Sequence, residues 1–138
     1  MANENYSEKV SVNINTSTLS NIDILVDNGY YSNRSDFINQ ALREKLQKHQ
    51  STLERIIEKQ MEKGSNNPNR WFVGISSLGD YELKQAEEKG LSLTYTGYGI
   101  LTIDKDLDEE LLFRVVKSIT VKGKVISSQT IKDHYGLK

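Results

Sequence analysis

Hydrophobic and polar residues alternate along Lys9-Val10-Ser11-Val12-Asn13-Ile14, the period of a strand. Val10, Val12 and Ile14 fall on one face; Lys9, Ser11 and Asn13 fall on the other. A turn at Asn15-Thr16 follows, and the period then changes to that of a helix. Leu19, Ile22, Leu25 and Val26 sit at i, i+3, i+6 and i+7, with Thr16 as the expected N-cap. Asn28-Gly29 breaks this helix. Ser32 is the expected N-cap of a second helix, which places Phe37, Ile38, Ala41, Leu42 and Leu46 on one face. One strand and two helices in about 40 residues cannot close a core, because the strand has no mate. A second copy of the chain supplies one most simply, as an antiparallel two-stranded ribbon.

The helical period returns over Ser51–Lys63 with Leu53, Ile56, Ile57 and Met61. Ser51-Thr52-Leu53-Glu54 reads as a capping box opening a new helix. Leu42, Leu46, His49, Leu53 and Ile56 keep a 4-3-4-3 spacing, which equally fits one continuous helix in a short coiled coil. The single proline, Pro68, lies in Gly64-Ser65-Asn66-Asn67-Pro68-Asn69, the clearest linker of the chain. The expected organisation is therefore an arm at 1–8, a strand and two helices at 9–50, a helical extension at 51–64, a linker at 65–70 and an α/β module at 71–138.

In the last module, strands are expected at 71–76, 91–96, 99–103 and 119–127, with a turn at Gly97-Tyr98. Helices are expected at 80–89, 107–117 and 130–135. Leu93-Thr94-Tyr95-Thr96-Gly97 is echoed by Ile119-Thr120-Val121-Lys122-Gly123 at a spacing of 26, within the leucine-rich-repeat range. A ferredoxin-like βαββαβ sandwich fits the element order as well. The glycine shared by both copies tips the reading toward a leucine-rich-repeat-like β/α repeat. The fold class is α+β.

Composition adds few constraints. The net charge is −1, so bulk basicity does not point to nucleic acid, and any DNA contact must rest on local placement of charge. The chain has no cysteine, which excludes disulfides and thiolate metal sites. No apolar run approaches the ~20 residues that span a bilayer, and the polar start MANENYSEKV does not read as a secretory signal, so a cytoplasmic location is expected.

The polar face of the ribbon carries the candidate chemistry. Lysine reaches guanine O6 or N7, asparagine pairs with the adenine edge, and serine is permissive. The start of the second helix, near Asn33 and Arg34, offers free backbone N–H groups to a phosphate. This region resembles the ribbon-helix-helix family of DNA-binding repressors, the Arc, MetJ and CopG superfamily. The resemblance is carried by Val10–Ile14, Asn15-Thr16, Ile22-Asp23 with Leu25-Val26, Asn28-Gly29-Tyr30, and Ser32–Ile38 leading into Ala41-Leu42. It covers about 40 of the 138 residues. Asn15 stands where the family often has proline, and Lys9 alone is basic in the strand. The resemblance implies an obligate homodimer with a core of Val10, Val12, Ile14, Leu19, Ile22, Leu25, Phe37, Ile38, Ala41 and Leu42. It implies base contacts from Lys9, Ser11 and Asn13 and phosphate contacts from Ser32, Asn33 and Arg34. The expected function is sequence-specific transcriptional regulation by repression, with double-stranded DNA as partner. Residues 71–138 are expected to mediate higher assembly or to sense a signal. An antitoxin of a toxin–antitoxin pair and a dimeric scaffold that binds no DNA are the alternatives.

Other features have plainer readings. Arg34 could pair with Asp36 or Glu8 instead of a phosphate. His49 and His134 lie far apart and suggest no metal site. The acidic run Asp104–Glu110 lacks the glycine and glutamate spacing of a calcium loop; Asp106 capping a helix explains it. Gly97-Tyr98-Gly99 opens no helix and is no phosphate loop. No catalytic triad or carboxylate pair is present, so no enzyme, cofactor or metal is expected.

Overall fold

The computed structural model describes residues 7–64 and 67–138. Most of the expected N-terminal arm, and Ser65-Asn66 of the expected linker, lie outside these. The chain divides into two compact units, Met1–Ile56 and Ile57–Lys138.

In the first unit, residues 7–15 form neither strand nor helix, so the strand expected at 9–14 is not formed in the single chain, where no second strand pairs with it. Helix α1 spans Thr16–Asp27. Its cap is Asn15, not Thr16: the Asn15 side chain accepts from the Ser17 N–H at 2.9 Å. The helix stops where Asn28-Gly29 predicts. Gly29 takes φ +84°, the Gly29 N–H donates to the Val26 carbonyl and the Tyr30 N–H to that of Leu25. That pair of bonds satisfies two orphan carbonyls and needs a left-handed residue between them. Helix α2 spans Arg34–Lys48 and is capped by Asn33 rather than Ser32, its side chain accepting from the Asp36 N–H at 2.8 Å. Both caps fall one position from the expected residue because asparagine competes with the neighbouring hydroxyl. Tyr31 packs edge-on against Phe37, ring centroids 4.9 Å apart.

Helix α3 spans Gln50–Met61, so α2 and α3 meet at His49, the C-cap of α2. The Leu53 N–H still donates to the His49 carbonyl at 2.9 Å. Leu42, Leu46, Leu53 and Ile56 along this stripe are all exposed.

The second unit is a two-layer βαβαβα structure. Strands β1 (Asn69–Leu78), β2 (Leu93–Ile103) and β3 (Val116–Ile126) form a parallel sheet in the order β1-β2-β3. Helices α4 (Asp80–Glu88), α5 (Glu109–Val115) and α6 (Gln129–Tyr135) follow the successive strands. The core joins Phe72, Leu78, Tyr95, Leu101, Ile103, Ile119 and Val125 of the strands to Leu83 and Ala86 of α4, Leu111, Leu112 and Val115 of α5, and Ile131 of α6. Trp71, Val73, Ile75, Tyr98 and Ile100 alternate onto the other face of the sheet.

Three expectations for this unit change. Gly97-Tyr98 is not a turn: β2 runs unbroken through it, which removes the fourth strand that a βαββαβ order requires. Gly97 is small because the Phe72 ring occupies the space a Cβ would take. The α5 cap is Asp108, not Asp106: its side chain accepts from the Glu110 and Leu111 N–H groups, while its own N–H donates to Asp80 at 3.0 Å. The α5 helix is also shorter than 107–117, because Val116 already begins β3. That junction is held by the Tyr135 hydroxyl, 2.8 Å from the Val116 carbonyl oxygen and 3.2 Å from that of Leu112. Burial there raises the phenol to about 12.

The sequence echo is real but shifted. Gly97 lies beside Val121, and the lateral partner of Gly123 is Gly99, which in turn lies beside Gly74. A row of three glycines therefore crosses the sheet, with φ of +97°, +127° and +142°. A Cβ on Gly99 would overlap the Gly74 carbonyl oxygen, and one on Gly123 would overlap that of Gly99. The row lets the three strands lie side by side where an added side chain would collide with the neighbouring backbone.

Candidate functional site

The candidate site lies in the first unit. Lys9, Ser11 and Asn13 are exposed, and so are the residues alternating with them: Val10 at 74%, Val12 at 73% and Ile14 at 36%. Both faces of this stretch are thus open in the single chain. Of the ten residues expected in a dimer core, Ile22 is buried; Leu19, Leu25, Phe37 and Ile38 are half-buried; Val10, Val12, Ile14, Ala41 and Leu42 are exposed. Helices α1 and α2 touch each other, yet Ile22 is the one buried residue among the described residues of this unit. Burying apolar area is the main favourable contribution to folding, and two well-formed helices around one buried side chain obtain very little of it.

The start of α2 is more crowded than its sequence suggests. Arg34 forms a two-pronged pair with Asp23 of α1, Nε to Oδ1 and a terminal nitrogen to Oδ2, both at 2.8 Å. The partner is neither Asp36 nor Glu8. The hydrogen bond from Arg34 holds the Asp23 carboxyl below the ordinary carboxylate range and raises the guanidinium in turn. Asp36 accepts from the Ser32 N–H at 3.0 Å and from the Gln40 side chain at 3.0 Å. The Ser32 N–H bond, first, and the Gln40 bond lower the Asp36 carboxyl as well. Asn33 is occupied as the cap.

The three expected phosphate residues therefore share one helix start, where the backbone N–H groups of Arg34 and Ser35, at the first two helical positions, lack intrahelical acceptors by geometry. A phosphate arriving there meets the positive end of the α2 dipole and an arginine already shared with a carboxylate. Sequence reasoning missed Asp23 as the arginine partner. The pair spans eleven residues and two helices, and no local spacing reports it.

Among the described residues, no cluster of His, Asp or Glu could hold a metal ion, and no helix is long and apolar enough to cross a membrane. Over residues 5–132 the sequence matches the model of a family described as the ribbon-helix-helix transcriptional regulator family. Neither a curated protein nor a solved structure matches it.

Proposed function

Taking as premise that the chain belongs to the ribbon-helix-helix transcriptional regulator family, we propose that it is a homodimeric repressor that reads DNA through paired N-terminal strands. Residues 9–14 of two copies would pair antiparallel. Val10, Val12 and Ile14 would then cover the α1 and α2 faces of both copies, with Leu19, Ile22, Leu25, Phe37, Ile38, Ala41 and Leu42 completing a shared core. Lys9, Ser11 and Asn13 would line the opposite surface and enter the major groove, which admits a two-stranded ribbon. The observation that carries this reading is the combination of alternating, doubly exposed residues 9–14 with helices that bury one side chain on their own.

Ser32, Asn33 and Arg34 would set the register against the phosphate backbone. The two-fold of the dimer implies two equivalent half-sites in the operator, and occupancy of a promoter would block transcription. The protein acts, in this reading, on double-stranded DNA in the cytoplasm.

In-vitro selection of bound sequences followed by titration of the best operator tests the proposal. Lys9→Ala and Asn13→Ala are each expected to weaken specific binding by ~1–3 kcal/mol with the dimer mass unchanged. Undiminished binding by both variants overturns it. Arg34 gives a second handle. Arg34→Ala is expected to flatten the salt slope of binding by about 1 for each Arg34 engaged. An unchanged slope in titrations across a range of salt removes Arg34 from the phosphate contacts.

A further inference from the structure

The two edges of the C-terminal sheet differ in a way that the DNA-binding reading does not use. At the glycine row, the residues flanking each glycine lie on the face opposite the helices. They are Val73 and Ile75 on β1, and Lys122 and Lys124 on β3. Val73 is 43% exposed and Ile75 is 60% exposed. Each edge strand hydrogen-bonds to β2 on one side, which leaves a row of N–H and C=O groups pointing outward.

We propose that β1 pairs antiparallel with β1 of a second copy of this chain, about a two-fold at Gly74. That register sets Val73 opposite Ile75 of the other copy, twice, and β-branched pairs of this kind stabilise antiparallel ladders. It sets Trp71 opposite Ser77 and puts no charge opposite a like charge. The same operation on β3, about Gly123, sets Lys122 opposite Lys124 twice. Four ammonium groups across one join repel, and lysine on an edge is how sheets block unwanted pairing. One edge is thus guarded against self-association and the other is self-complementary. Nothing lies within 4 Å of where a Gly74 Cβ would stand, so a strand can approach there. The result is one six-stranded sheet, parallel within each copy and antiparallel at the join. This contact is separate from the N-terminal ribbon and stands or falls without it.

The natural absence of cysteine makes the test clean. In the full-length double variant V73C/I75C, mild oxidation is expected to link two chains, with peptide mapping joining position 73 of one to 75 of the other. The geometry of directly opposed strand residues permits that bond. The matching variant K122C/K124C is expected to give no link. Ile75→Lys alters an exposed side chain outside the core, so the fold survives it. It is expected to speed hydrogen exchange of the outward β1 amides by roughly tenfold or more while operator binding persists. Absence of the 73–75 link together with unprotected β1 amides in the unaltered protein overturns the proposal. A link formed instead by V73C/K122C, between β1 of one copy and β3 of another, also overturns it, because that is head-to-tail stacking.

Discussion

Gly99→Ala is expected to unfold the C-terminal unit or leave it barely stable. Gly99 has φ +127°, where an L side chain is strained by ~1–3 kcal/mol. The new Cβ would also overlap the Gly74 carbonyl oxygen of β1, which is backbone and cannot rotate away. Relief requires β1 and β2 to separate at mid-strand, and each ladder hydrogen bond lost there adds about 1 kcal/mol. A total of roughly 4 kcal/mol or more is a large part of the 5–15 kcal/mol that stabilises a domain. Gly74→Ala is the internal control. It has a similar positive φ and nothing within 4 Å of the added carbon, so the strain alone applies. Urea unfolding followed by fluorescence of Trp71, the single tryptophan, reads the comparison directly. Equal midpoints for the two variants would show that the close approach of the strands contributes nothing.

In an Ile75→Lys background, which opens the β1 join, Val12→Glu is expected to abolish the dimer, whereas Ser11→Glu is expected to leave it intact and remove DNA binding. The two residues are adjacent, and both are exposed in the single chain, so neither change disturbs the core of one protomer. They differ in the face they present once the strands pair. A carboxylate at 12 would be buried without a partner in both copies, at roughly 3–5 kcal/mol for each uncompensated charge. A carboxylate at 11 would stay in solvent, facing the phosphates and base edges it repels. Light scattering measures the mass and anisotropy measures operator binding. If the Val12→Glu/Ile75→Lys protein keeps its dimer mass, residues 9–14 do not form the shared ribbon. If the Ser11→Glu protein binds DNA normally, the polar face of that ribbon is not the reading surface.

Local patterns were legible where the governing contacts are local. The α1 stop was readable because Asn28-Gly29 supplies the left-handed residue the terminating hydrogen bonds need. The break before β2 and the helix start near residue 33 were readable for similar reasons. Helix caps were misplaced by a residue or two at Asn15, Asn33 and Asp108, because several neighbouring polar side chains could cap and only the backbone path selects among them. The Arg34–Asp23 pair was not legible, since it depends on how α1 and α2 cross.

The glycines mark the boundary most clearly. Gly97-Tyr98-Gly99 reads as a turn by composition, yet it lies in the middle of an 11-residue strand. Positive φ and missing side chains serve turns and close strand contacts alike, and only the neighbour strand tells them apart. The repeat was visible, but its register was off by two because Gly97 was aligned where Gly99 belongs.

By itself the amino-acid order determined the helices, their breaks and the family, because each depends on residues within a few positions of one another or on a profile spread along the chain. Tertiary structure alone decided which glycines meet across the sheet, which carboxylate holds Arg34, and which residues flank the glycine row on each edge of the sheet. Those outcomes depend on distances between residues about 11 to 25 positions apart, and the folded backbone sets such distances where sequence spacing does not.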